Sequence, residues 1–156
     1  ARQLCSKALR KFPTSVDLWV ENLHLISKPS QRRNAFVDAL KATSNAAVIL
    51  LNIGIFFWLE GKFSKAKSWL ERSIKAEGDV NGDCWAVLYK FTATQGSDDD
   101  KKRLEAQFTL VEEYVNRGEY WNQLVKLFEN LQTPRLEILK QVADKIVSEL
   151  GIVTYK

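Results

Sequence analysis

One five-position pattern returns along the chain and confines it to a fold of stacked helices. Ala1, Leu4, Cys5, Ala8 and Leu9 stand at i, i+3, i+4, i+7 and i+8, and the same offsets pick out Arg32, Ala35, Phe36, Ala39 and Leu40, then Ala66, Trp69, Leu70, Ser73 and Ile74. That spacing puts five side chains on one face of an α-helix. A small residue holds the fourth place each time, which lets a neighbouring helix approach, and a larger apolar one follows to fill the core. Leu139, Val142, Ala143, Ile146 and Val147 repeat the pattern again, while residues 98–115 fit it poorly.

The intervening segments carry the aromatics: Trp19, then Phe56, Phe57 and Trp58, then Trp85 and Tyr89, then Tyr120 and Trp121. Trp85 and Trp121 lie 36 residues apart, and the other spacings fall in the thirties. Repeats of that length are helix-turn-helix units, each too small to bury its own apolar face, so stacking supplies the core. Three prolines and seven glycines punctuate the pattern at points that separate helices. The breaks predict nine helices, over 1–11, 15–27, 30–43, 46–60, 64–77, 82–95, 98–115, 119–131 and 134–150, and no strand. The expected fold is an all-α, right-handed superhelical solenoid of antiparallel helix pairs, a single repeat domain over 1–156. Residues 1–11 form the second helix of a truncated repeat, and 15–43, 46–77, 82–115 and 119–150 form the pairs.

Local signals mark several helix ends. Gly61 suits the left-handed conformation that closes a helix after Glu60, and Ser64 reads as the next cap. Ser97 followed by Asp98, Asp99 and Asp100 reads as a capping box rather than a metal site. Thr133 reads as a cap with Pro134 in the first helical position, and Gly82-Asp83 as a turn.

Residues 46–59, AAVILLNIGIFFWL, carry no charge. A bilayer-spanning helix needs about 20 apolar residues, so this run is expected to be the most buried helix of a soluble protein. With 46% hydrophobic residues, the 156-residue chain has enough apolar material for one good core. Its opening, ARQLCSKAL, reads as the middle of a helix and not as a secretory leader, so a piece of a longer array is expected. Cys5 and Cys84 fall in apolar helical patterns without metal-ligand spacing and read as reduced core residues of an intracellular protein.

The catalytic groups are too sparse for an enzyme. The single histidine, His24, lies between Leu23 and Leu25 and reads as structural. The glycines form no phosphate-binding loop, and histidines and cysteines are too few for zinc. No cofactor, metal or small-molecule substrate is expected.

Charge is distributed unevenly. Residues 1–75 hold 13 Lys/Arg against 5 Asp/Glu, whereas residues 76–156 hold 10 against 14. Lys65, Arg72 and Lys75 follow one helical stripe with Lys62 in the turn before it, and Arg32 and Arg33 occupy the equivalent helix of the preceding repeat. Stacking would bring these rows together as a solvated face, a docking surface for an acidic protein segment, or a phosphate contact. The aromatics do not favour RNA, because they lie on core stripes and not where bases would stack.

The segments ARQLCSKALRKFP, FFWLEGKFSKAKSWLERSIK and NGDCWAVLYKFTATQG resemble half-a-TPR (HAT) repeats. The order of the last two, followed by NRGEYWNQL, is similar to the C-terminal region of the pre-mRNA-processing factor six family of the spliceosomal tri-snRNP. Thr92 stands where that family's pattern has Glu, Leu23 where an aromatic is usual, and Lys67 in place of Arg. The resemblance implies a noncatalytic nuclear scaffold holding other tri-snRNP splicing proteins, with RNA contact secondary. It implies packing roles for Trp58, Glu60, Trp69, Trp85, Tyr89 and Trp121, and Trp19 joins them as a repeat aromatic. The rival readings are a HAT scaffold of another RNA machine, in 3′-end cleavage or ribosome assembly, and direct RNA binding through the basic half.

Overall fold

In a computed structural model, residues 1–152 are described, apart from the side chain of Glu129. Residues 153–156 of the expected repeat domain lie outside the described residues. The described chain is a series of helices: α1 (Arg2–Lys11), α2 (Val16–Leu25), α3 (Pro29–Ala42), α4 (Ala47–Leu59), α5 (Phe63–Lys75), α6 (Gly82–Gln95), α7 (Asp98–Val111), α8 (Glu119–Val125) and α9 (Arg135–Leu150). One 3₁₀ turn, Phe128–Asn130, lies between α8 and α9. Among the described residues, β pairing is limited to an isolated parallel bridge between Asn81 and Arg117. Most helices pack against near neighbours in the chain, consistent with a helical repeat solenoid.

The charge-free run forms α4, and every residue from Ile49 to Trp58 is buried. A helix with no polar face is stable in water only when neighbours surround it, and α2, α3, α5 and α6 do so. Asn52, the polar residue in this stretch, donates its amide to the Val48 carbonyl (2.8 Å) and accepts from His24 Nε2 (3.1 Å). His24 also sets its ring 4.8 Å from that of Phe56. Gly54 determines how near α5 comes, because a Cβ there would lie 2.7 Å from Leu70 Cδ2. Among the described residues, no helix is long and apolar enough to cross a membrane.

The α4–α5 turn closes locally. Gly61 takes φ +76°, its N–H bonds the Trp58 carbonyl, and the Lys62 N–H reaches back to Phe57. This is the Schellman arrangement, which satisfies carbonyls left open at a helix end. The capping box is also present: Ser97 Oγ accepts from the Asp100 N–H and Asp100 Oδ2 from the Ser97 N–H.

Other ends differ from expectation. α5 begins at Phe63 without a side-chain cap, so Ser64 lies inside its first turn. Pro134 stands at the N-cap of α9, because its carbonyl already accepts from Glu137 and Ile138, and Thr133 is therefore outside the helix. Gly82-Asp83 is no turn: Asn81 caps α6 through the Cys84 N–H (3.2 Å), and both residues belong to its first turn. α7 stops at Val111, and α8 covers only 119–125 of the expected 119–131. It ends where Leu127 becomes extended and the Leu124 carbonyl accepts from the Asn130 amide (2.7 Å) as well as from the Leu127 N–H (3.3 Å).

That short α8 changes the packing. Seven residues cannot cover α6, and the 16-residue α9 does so instead, contacting α6 more extensively than α7 does. Leu139, Val142, Ala143, Ile146 and Val147 are all buried, and Lys90 Nζ pairs with Asp144 Oδ1 at 2.8 Å across the two helices.

Candidate interaction surface

The repeat aromatics divide into core and surface groups. Trp58 meets the Phe91 ring edge-on at 5.2 Å. Trp85 meets Phe108 at 5.6 Å, Phe108 meets Trp121 at 6.1 Å, and Trp85 Nε1 donates to the Asp79 carbonyl at 2.8 Å. The buried Tyr89 donates its hydroxyl to Glu105 Oε1 (3.2 Å). Trp19 and Trp69 are only half-buried. Trp19 donates to the Pro13 carbonyl at 2.8 Å, whereas Trp69 carries the Arg72 guanidinium 4.3 Å above its ring.

Glu60 organises the cations near the α4–α5 turn. Its carboxylate lies 3.1 Å from Arg33 Nη2, 3.5 Å from Lys62 Nζ and 3.9 Å from Arg32 Nη1. Arg32 is held further: Nε and Nη2 donate to the Ile26 carbonyl at 3.2 and 2.7 Å, and the guanidinium lies 4.3 Å over Phe56. Arg32 therefore joins α2, α3 and α4 and faces inward. Lys65 Nζ lies 5.6 Å over Phe57. Among the described residues, Lys65, Arg72 and Lys75 have no carboxylate within 4.0 Å. The six cations predicted as one surface thus fall into three gathered on Glu60 and three unpaired along α5.

A second constellation escaped sequence reasoning. Asp83, on α6, accepts from the backbone N–H groups of Trp121 (2.8 Å) and Tyr120 (3.2 Å), and so caps α8 from another helix. Its neighbours fit around it. Gly118 stands at φ +117° with its missing Cβ directed at the Asp83 carboxylate, and a Cβ on Gly82 would lie 2.3 Å from the Trp121 ring. The Gly82 N–H donates to the Arg117 carbonyl, and those of Asn116 and Arg117 to Val80. Burial pushes the Asp83 carboxyl up to about 6, against the opposing pull of the backbone donors. The signal lay in GDCWA and GEYW, each locally a turn or a helix start; neither string shows that it touches the other.

Burial also pushes the Cys84 thiol well up, and both cysteines are buried and free. Among the described residues, no group of three His, Cys, Asp or Glu side chains is placed to hold a metal.

No family model matches the chain. It is 34% identical over 119 residues to Protein STABILIZED1 of Arabidopsis thaliana, covering 76% of this chain and 11% of that protein. It is 38% identical over 101 residues to Pre-mRNA-splicing factor 6 of Saccharomyces cerevisiae, covering 63% of this chain and 11% of the relative. With Pre-mRNA-processing factor 6 of Homo sapiens the identity is 35% over 116 residues, 74% of this chain and 12% of the relative. The chain therefore spans only 11–12% of the length of these relatives. Matched over 63–76% of its length by proteins of one kind, and folded as a helical repeat, the chain is a homologue of one segment of the pre-mRNA-processing factor 6 family.

Proposed function

We propose that the chain acts in nuclear pre-mRNA splicing as a noncatalytic scaffold segment, part of an array that holds tri-snRNP proteins in fixed relation. The observation that carries this reading is its similarity to factors named for pre-mRNA splicing. The architecture supports it: stacked helices present long outer faces, and a buried core joins successive repeats so that a partner meets a surface of defined shape. The unpaired cations on α5 make the N-terminal half the docking candidate, with Arg33 and Lys62 at its edge. Of the repeat tryptophans, Trp58, Trp85 and Trp121 serve the core.

The test is affinity purification from nuclear extract with the 156-residue chain, before and after nuclease digestion. Recovery of tri-snRNP proteins that survives digestion is the expected result. Loss of every protein on digestion would move the function to RNA contact, and failure to recover any splicing protein from undigested extract would overturn the reading.

A further inference from the structure

We infer that Lys65, Trp69 and Arg72 form a specific docking strip on α5 for an acidic protein segment. The inference rests on the scaffold reading and adds to it the site and the chemistry of the partner. Lys65 and Arg72 are seven residues apart on one helix, which at ~1.5 Å rise per residue separates them by about 10 Å, with Trp69 between them. Both cations are held over aromatic rings, Lys65 over Phe57 at 5.6 Å and Arg72 over Trp69 at 4.3 Å. The rings restrict the positions of these cations while leaving their N–H donors free, which lowers the ordering cost of binding. Trp69 is half-buried, and among the described residues its indole N–H has no acceptor, a state it shares with the fully buried Trp121. Two cations and one ring N–H along one strip match carboxylates about 10 Å apart, two turns of a partner helix.

The same geometry disfavours a phosphate track. Glu60 gathers Arg32, Arg33 and Lys62, which interrupts the basic row. Glu71 follows Trp69 on the exposed side of α5. Arg72 already covers a face of Trp69 on which a base would stack. A short protein segment needs only the local strip, whereas a nucleic acid needs the row to continue.

The probe is a fluorescein-labelled helical peptide of Ala and Glu, with Glu at two-turn spacing, read by anisotropy against the same peptide with Gln for Glu and against a labelled oligouridylate. The native chain is expected to bind the Glu peptide and not the Gln peptide. The double variant Lys65→Gln/Arg72→Gln should weaken binding by about tenfold or more, and Trp69→Phe, which keeps a ring but loses the N–H, by about threefold. Lys102→Gln, at an exposed cation on α7 outside the docking candidate, should stay within about twofold. Three results would each overturn the inference: no binding of the Glu peptide, equal losses in the double variant and Lys102→Gln, or tighter binding of oligouridylate that the double variant abolishes. The extract experiment separates the two proposals. If the native chain recovers splicing proteins and the double variant recovers them equally, the strip falls and the scaffold stands. If the native chain recovers none, the scaffold falls and the peptide titration alone decides the strip.

Discussion

The α4–α5 hairpin and the α6–α8–α9 group solve the same packing problem by different means. In the hairpin everything is near in sequence: a Schellman turn at Gly61 closes α4, and a missing Cβ at Gly54 lets Leu70 approach. In the second group the contacts are distant. Asp83 caps a helix 37 and 38 residues away, Gly82 makes room for Trp121, and α9 takes the place on α6 that α8 is too short to fill. The local joint depends on hydrophobic fit and on backbone bonds within its own turn. The distant one also requires a buried carboxylate to meet its donors, so it is more directional and more easily broken.

The largest effect should come from removing an aromatic of the second group. Trp121→Ala leaves a cavity beside Phe108 and Gly82, and Trp85→Ala removes a buried ring together with its bond to Asp79. Each is expected to cost about 3–5 kcal/mol in thermal or urea unfolding, and an unchanged melting temperature would remove that residue from the core account. Gly82→Ala comes next. Its Cβ would lie 2.3 Å from a fully buried, rigid indole, whereas that of Gly54→Ala would lie 2.7 Å from the equally buried but less rigid side chain of Leu70. Overpacking costs about 1–3 kcal/mol, with Gly82→Ala expected toward the upper end; if Gly54→Ala proved more damaging, the contrast between the two joints would be reversed.

Asp83→Ala strands two backbone donors and should cost about 1–3 kcal/mol. Hydrogen exchange should show the loss concentrated at Tyr120 and Trp121, and a uniform loss across α4 and α5 would contradict the clasp.

The titration of Asp83 provides a sharper test. Its folded value, about 6, lies above the usual 3.8. Between those values the native state binds more protons than the unfolded chain, so the contribution of this group to stability falls as pH rises from about 4 to 6. Asp83→Asn removes that titration, and the native chain should lose stability relative to the variant on going from pH 4 to 7. A difference between the two that does not change with pH would eliminate the buried, titrating carboxylate. The smallest effect is expected at Glu60→Gln, a partly exposed ion-pair hub, worth less than about 1 kcal/mol and visible mainly at low salt.

These two regions also differ in how far the sequence discloses them. The α4 run, Gly61 and the Ser97–Asp100 box follow from signals within a few residues, and the structure has them where the pattern predicts. The helices themselves were legible because a 3.6-residue period survives in any amphipathic segment. The clasp was not, since a carboxylate that caps its own helix and one that caps another look identical as letters. Gly82-Asp83 read as a turn for that reason. The α6–α9 packing was hidden too, because Leu139 to Val147 announces an apolar face without saying which helix it covers. On the surface, Arg32, Arg33 and Lys62 were visible as cations, but only geometry shows that one carboxylate, Glu60, gathers all three.

The placement of Asp83 also orders events in time. A seven-residue helix does not persist in water by itself, since nucleation is unfavourable and too few bonds follow to offset it. The acceptor that stabilises the start of α8 lies upstream, so on a ribosome α6 emerges with its cap before the segment to be capped exists. Synthesis from N to C terminus therefore presents the template first, and α8 forms by docking against it.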